Sequence, residues 1–256
     1  MAYLEAHNLV IRFGGLTAVD HLDFKVEKGQ VVSIIGPNGA GKTTIFNILS
    51  GVYKLNDGEI YFEGNKLNDK SPQEIVGAGI ARTFQNIRLF SDMRVIENVL
   101  VGTHSRTGYQ FLDGLLRTKR FRKEEGEKKR YAAKLLEEVG LKSRISDYAD
   151  NLPYGEQRKL EIVRAIATGA KLLLLDEPAA GMNPQESEEL RQFILHLKGQ
   201  GYTILLIEHD MNVVMNISDY IYVVDYGKLI AEGRPHEILE NKQVLAAYLG
   251  EGEVEV

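Results

Sequence analysis

The chain has 256 residues, 31 Lys and Arg against 36 Asp and Glu, no Cys, and a formal net charge of −5 at pH 7. Hydrophobic and charged contents of 44% and 26% are those of a globular chain, which excludes disordered, collagenous and low-complexity classes; the missing Cys excludes disulfide frameworks and Cys-based metal sites. The acidic balance argues against broad nucleic-acid binding, and no run reaches the ~18 apolar residues of a membrane span.

The length suits one large domain or two small ones. The start, Met1-Ala2-Tyr3-Leu4-Glu5, lacks the charged-then-apolar layout of a signal peptide, so the chain reads as soluble and cytoplasmic. The first sixty or so residues are β-rich. His21–Val26 alternates polar and apolar residues, the pattern of a half-buried strand. Val31-Val32-Ser33-Ile34-Ile35 is β-branched and nearly continuous, the pattern of a central strand. A Gly-rich loop follows, then a helix from about Lys42 to Ser50. Asp57-Gly58 marks a turn before a strand over Glu59–Glu63. From Val95 to about Gly140 helical patterns dominate, with a basic stretch (Arg117, Lys119, Arg120, Arg122, Lys123) and an amphipathic run, Tyr131–Val139, ended by Gly140. The last third alternates: strand Leu172–Leu175, helix Pro184–Lys198, strand Thr203–Ile207, helix Met211–Ile217. A hairpin of Tyr220–Val224 and Leu229–Ala231 turns around Tyr226-Gly227. Alternating βα units imply a parallel sheet covered by helices.

Gly36-Pro37-Asn38-Gly39-Ala40-Gly41-Lys42-Thr43 matches the phosphate-loop pattern G-x-x-x-x-G-K-[ST], between a buried strand and a helix. Glycines let backbone N–H groups fold around phosphates, and the helix N-terminus presents positive charge to the same anion. Lys42 supplies a mobile charge for the β- and γ-phosphates, and the Thr43 hydroxyl can ligate Mg²⁺. Such a loop needs an acidic partner. Leu172–Leu175 is a strand that can sit beside Val31–Ile35, and Asp176 and Glu177 follow at its carboxyl end. Asp176 would hold Mg²⁺ through water, and Glu177 would serve as general base.

Further elements in order resemble those of ATP-binding-cassette (ABC) transporter ATPases over nearly the whole chain. Gln85, in Arg82-Thr83-Phe84-Gln85-Asn86, falls at the Q-loop glutamine. Leu152-Pro153-Tyr154-Gly155-Glu156-Gln157 resembles the signature motif, usually L-S-G-G-Q-Q. Ala180-Gly181-Met182-Asn183 resembles the D-loop, His209 the switch histidine, and Phe13 the aromatic under adenine. The resemblance implies an α/β fold, a P-loop NTPase with a mainly parallel core sheet, an N-terminal antiparallel β-subdomain and an inserted α-helical subdomain. Residues 1–256 would form one ABC ATPase domain. About 1–85 and 160–256 would make the RecA-like core and β-subdomain, and about 86–159 the α-helical subdomain with the signature.

It further implies ATP and Mg²⁺ as cofactors. Phe13, Gly36, Pro37, Asn38, Gly39, Ala40, Gly41, Lys42, Thr43 and Thr44 would bind the nucleotide. Glu177, His209 and Gln85 would be catalytic, and Thr43, Gln85 and Asp176 would meet the metal. Pro153, Tyr154, Gly155 and Glu156 precede a helix from about Glu156 to Thr168 and would close on ATP bound by a partner. The implied partners are a second ABC ATPase subunit (homodimer or paralogous heterodimer), integral membrane permeases and, indirectly, a substrate-binding protein, with no nucleic acid. The implied location is the cytoplasmic face of the inner membrane, as a peripheral subunit.

Within the family the chain resembles the branch serving bacterial uptake of branched-chain amino acids. The carriers are Ala81–Gln85 with Val95–Gly102, Leu160–Ala165, and Asp176–Pro184; another cargo is the alternative. A permease-free ABC ATPase acting on nucleic acid or ribosomes fits less well, because there is one cassette and no sustained heptad run. Two residues depart from the family pattern. Pro153 replaces the signature serine, removing a hydroxyl and an N–H; such a charge-assisted bond to phosphate is worth about 1.5–3 kcal/mol. Asn183 replaces the D-loop aspartate.

Overall fold

The computed structural model describes residues 2–106 and 118–249. In chain order the strands and helices are β1 (Leu4–Phe13), β2 (Leu16–Val26), β3 (Val31–Ile35), α1 (Lys42–Leu49), β4 (Asp57–Phe62), β5 (Asn65–Lys66), α2 (Pro72–Ala78), β6 (Ile80–Arg82) and α3 (Val95–Gly102). Then come α4 (Lys119–Glu138), α5 (Tyr154–Ala167), β7 (Leu172–Asp176), α6 (Pro184–Gly199), β8 (Thr203–Ile207), α7 (Met211–Ile217), β9 (Tyr220–Asp225), β10 (Lys228–Gly233), α8 (Pro235–Leu239) and α9 (Lys242–Leu249). Arg117 of the basic stretch lies outside the described residues; Lys119, Arg120, Arg122 and Lys123 are exposed on α4.

Among the described residues the strands form two sheets, an antiparallel one in the order β2-β1-β4-β5 and a six-stranded one in the order β10-β9-β3-β8-β7-β6. Only the β10–β9 pair of the second sheet is antiparallel. The parallel strands are buried on both faces, and their side chains alternate between two clusters. Leu172 and Leu174 of β7 and Leu205 and Ile207 of β8 pack with the antiparallel sheet and Phe46 of α1. Leu173, Leu175, Ile204 and Leu206 pack on the opposite face with Val99 of α3, Leu136 of α4 and Ile162 of α5. This two-sided burial is why these strands read as continuous apolar runs.

One expectation about neighbours is corrected. β7 does not pair with β3; β8 lies between them, joined to both in parallel (Val31↔Ile204 and Leu173↔Ile204). Two apolar parallel strands can pair with almost any third, so composition alone does not set their order. Local boundaries also shift. α5 begins at Tyr154 rather than Glu156, with Pro153 at the N-cap, φ −52° and ψ 152°. β1, unnamed in the sequence reading, is disguised by a register shift between Ala6 and Leu9, with Asn8 at φ 50°. The β9–β10 hairpin turns on Tyr226 and Gly227, both at positive φ, the geometry of a tight two-residue turn.

Leu174 is fully buried at the centre of this sheet. Leu174→Ala should lower the unfolding free energy by about 2–5 kcal/mol, measured by urea titration.

Candidate active site

Because β3, β8, β7 and β6 are parallel and adjacent, their carboxyl ends lie along one edge. Each end delivers a different group: the Gly36–Thr43 loop after β3, Glu208 and His209 after β8, Asp176 and Glu177 at β7, and Gln85 after β6. The loop after β3 passes so close to its neighbours that side chains are barred. A Cβ on Gly36 would meet Val224 O at 1.9 Å, and one on Gly41, at φ 100°, would meet Ala18 O at 2.5 Å. Gly41 caps α1 without a side-chain hydrogen bond, and the first turn carries no acidic residue. The helix end therefore keeps amide donors and its positive end for an anion.

A cavity of about 390 Å³ opens over this loop, within the range of small-molecule sites. Residues 38–44 form its floor, Phe13, Leu16 and Tyr226 its rim, and Glu177 reaches into its lining. Thr43 is exposed and Thr44 half-buried. The half-exposed Phe13 ring is held by an edge-on contact with Tyr53, centroids 5.2 Å apart. Lys42 is buried, its Nζ donating to Gly36 O (2.6 Å) and Pro37 O (2.8 Å).

Three of the residues named from sequence meet at one atom. Glu177 Oε2 accepts from Gln85 Nε2 at 2.6 Å and lies 2.8 Å from His209 Nε2. Glu177 sits at φ 46°, an uncommon conformation for a non-glycine residue. Its backbone N–H donates to Ile207 O of β8. The turn aims Glu177 differently from Asp176. Asp176 is buried and paired with Arg82, whose Nη2 lies 2.8 Å from Oδ2. Arg82 Nη1 also donates to Asn47 Oδ1 (2.6 Å) and Ser50 Oγ (3.1 Å) of α1 and the residue after it.

Glu208, next to His209, is buried and was not identified from sequence. Its carboxylate accepts from Ala179 N (2.7 Å) and His209 N (3.1 Å), tying the segment after β7 to His209. Burial pushes its pKa above the ordinary glutamate value, opposed by these backbone donors. Arg82 closes the short strand Ile80–Arg82 and Glu208 directly follows Thr203–Ile207, and neither position by itself marks its partner.

The cavity lining includes none of Pro153, Tyr154, Gly155 or Glu156. No side chain caps the N-terminus of α5, and Tyr154 OH donates to Ala180 O at 3.0 Å. Asn183 caps α6 in a reciprocal box: its Oδ1 accepts from Glu186 N (3.0 Å), and Glu186 Oε2 from Asn183 N (3.1 Å). Amide and carboxylate perform this task about equally well, so the Asn in place of Asp costs the helix little.

Comparison with known proteins agrees with this geometry. The ABC transporter family model matches residues 19–180, and a model described as branched-chain amino acid ATP-binding cassette transporter matches residues 228–254. The chain belongs to the ABC transporter family. Its relatives include BraF, the high-affinity branched-chain amino acid transport ATP-binding protein of Pseudomonas aeruginosa, 48% identical over 97% of this chain and 98% of BraF. LivG of Escherichia coli, of the same description, is 47% identical over 97% of this chain and 98% of LivG. The ADP conformation of MJ1267, an ATP-binding cassette of an ABC transporter, superposes with a TM-score of 0.86 at 38% identity, covering 98% of this chain and all of that one.

The donors fit Mg²⁺ only as part of a larger set. Among the described residues no group of three or more His, Cys, Asp or Glu is placed to hold a metal. A hydroxyl, an amide and one carboxylate are hard oxygen donors of the kind Mg²⁺ takes when phosphates complete its shell. Removing the aromatic face beside the loop tests the nucleotide assignment. Phe13→Ala should raise the Kd for ATP about fivefold, from about 1 kcal/mol of lost stacking, read by calorimetric titration.

Proposed function

We propose that this chain is the ATP-hydrolysing subunit that powers membrane import of branched-chain amino acids. The observation that carries the ATPase reading is the convergence of Gln85 and His209 on Glu177 Oε2 at the lining of the phosphate-loop cavity. The cargo reading is supported by near-full-length likeness to BraF and LivG and by the match over residues 228–254.

In this reading the backbone N–H groups of Gly36 and residues 38–44, together with Lys42, hold the phosphates, and Phe13 stacks on the base. Phosphate draws Lys42 Nζ from its carbonyl partners. Thr43, Gln85 and Asp176 would hold Mg²⁺, which when bound neutralises charge on the β- and γ-phosphate oxygens. Glu177 accepts a proton from the attacking water. The water oxygen bonds to the γ-phosphorus as the bond to the β–γ bridging oxygen breaks, and ADP leaves with that electron pair. His209 orients the water and the γ-phosphate. Arg82 holds the Asp176 carboxylate in place.

The uncapped amides of α5, at Tyr154, Gly155 and Glu156, would close on ATP held by a second ABC subunit. Two nucleotides then sit in a head-to-tail dimer that ATP closes and hydrolysis opens, a ligand-biased two-state motion. The division into a core (about 1–85 and 160–256) and a helical part (about 86–159) belongs to this reading. A groove of about 680 Å³, lined by Phe84, Arg88, Phe90 and Arg164, suits the cytoplasmic segment of a permease. No described helix is long and apolar enough to cross a membrane. In this reading the subunit is peripheral and works with membrane permeases.

Glu177→Gln should bind ATP with near-normal affinity and lose turnover by at least about a hundredfold, measured as phosphate release; unimpaired turnover would remove Glu177 as base. Pro153 leaves α5 one hydroxyl short for a partner's phosphate. In the assembled transporter, Pro153→Ser should tighten ATP-dependent closure by about tenfold, and unchanged ATP affinity and turnover would remove that reading.

A further inference from the structure

The segment carrying Gln85 has no regular structure of its own. Residues 83–88 run between β6 and α3 without belonging to either. Thr83 N donates to Leu174 O of β7, and the backbone beyond it is held by α5. Arg158, fully buried on the second turn of that helix, places Nη1 2.7 Å from Phe84 O and Nη2 2.7 Å from Gln85 O. The same Nη1 lies 2.8 Å from Glu161 Oε2, and Glu161 Oε1 accepts from Arg88 N at 3.1 Å. One buried ion pair thus holds both ends of the segment by its backbone. Above it the Phe84 ring is covered by Arg82 (5.0 Å) and Arg88 (4.1 Å).

We infer that Arg158, with Glu161, is a positioning residue that makes Gln85 move as one body with the N-terminal end of α5. Gln85 is the donor to Glu177 at 2.6 Å. Tyr154, on the first turn of α5, donates to Ala180 O and lies 3.4 Å from Arg158 Nη2. An anion arriving at the exposed amides of α5 therefore acts on a helix already bonded to the backbone of Gln85. The physical argument is one of cost. A buried Arg–Glu pair is expensive to desolvate, and apolar residues of similar volume often stabilise a fold as well or better. Apolar replacements here would leave two carbonyls and an amide without partners. A lysine would keep the charge but, as a compact point charge, lacks the planar fork that meets two carbonyls and a carboxylate together. The inference rests on the ATPase reading for its kinetic part only.

The chain contains no Cys, so a single Asn86→Cys carrying a nitroxide label reports the order of the segment directly. In the full-length labelled chain, Arg158→Lys should increase label mobility. It should lower kcat about ten- to a hundredfold while KM and the Kd for ATP stay within about twofold, since the phosphate loop is untouched. Unchanged mobility and unchanged kcat in a folded variant overturn the inference. So does a parallel loss of kcat, ATP affinity and Tm, which marks a purely structural role. If Arg158→Lys fails to fold, Glu161→Gln, which keeps an acceptor for Arg88 N, is read in its place, and the same shifts are expected at about two- to fivefold. Absence of turnover in the unmutated chain would strike the ATPase reading, while label mobility would still decide the clamp.

Discussion

The site depends on one topological constraint, the insertion of β8 between β3 and β7. Parallel pairing in this order aligns Ile34 with Ile207 and Asp176 with Ile207, so three carboxyl ends finish level. The phosphate loop, His209 and the Asp176–Glu177 pair then fall on neighbouring strands rather than scattered ones. The position of Glu177 follows from this, because its backbone N–H is bonded to Ile207 O of the inserted strand. Strain at φ 46° is tolerated there because pairing on the strand holds the turn from below.

Around that edge the fold concentrates the polar groups it buries. Arg82–Asp176, Arg158–Glu161 and Glu208 are nearly or fully enclosed. Each buried charge is matched by an opposite charge or by backbone donors and acceptors of an irregular segment. Arg82 joins β6 to β7 and α1, Glu208 joins the segment after β7 to the end of β8, and Arg158 joins α5 to the segment after β6. The loops that carry Gln85, Glu177 and His209 lack a ladder of their own, and these groups supply the missing partners. Stability alone does not call for charge here; placing Gln85, Asp176 and His209 within hydrogen-bond reach of their targets does.

Much of the site was legible in the chain because its chemistry is local. A phosphate cradle needs glycines, a lysine and a hydroxyl at fixed spacing, so residues 36–43 announce themselves. An acidic pair after four leucines is also local. The departures at Pro153 and Asn183 were visible for the same reason, and the structure gives each a place as a helix cap. Arg82, Arg158 and Glu208 were illegible as functional residues. Their partners lie 94, 73 and 29 positions away for Asp176, Gln85 and Ala179, and a lone charge in a sequence does not point at a distant carbonyl.

By itself, the sequence determined the two-sided apolar strands, the helix between each pair and the phosphate-loop pattern, because periodicity and short-range spacing act within a few residues. Tertiary structure alone decided that β8 separates β3 from β7, that Gln85 and His209 share one oxygen of Glu177, and that a buried guanidinium on α5 grips the Gln85 backbone. Those outcomes come from packing and pairing between remote segments. Hydrophobic burial is non-directional, so many strand orders satisfy the same apolar pattern until every buried carbonyl, amide and charge must also find a partner.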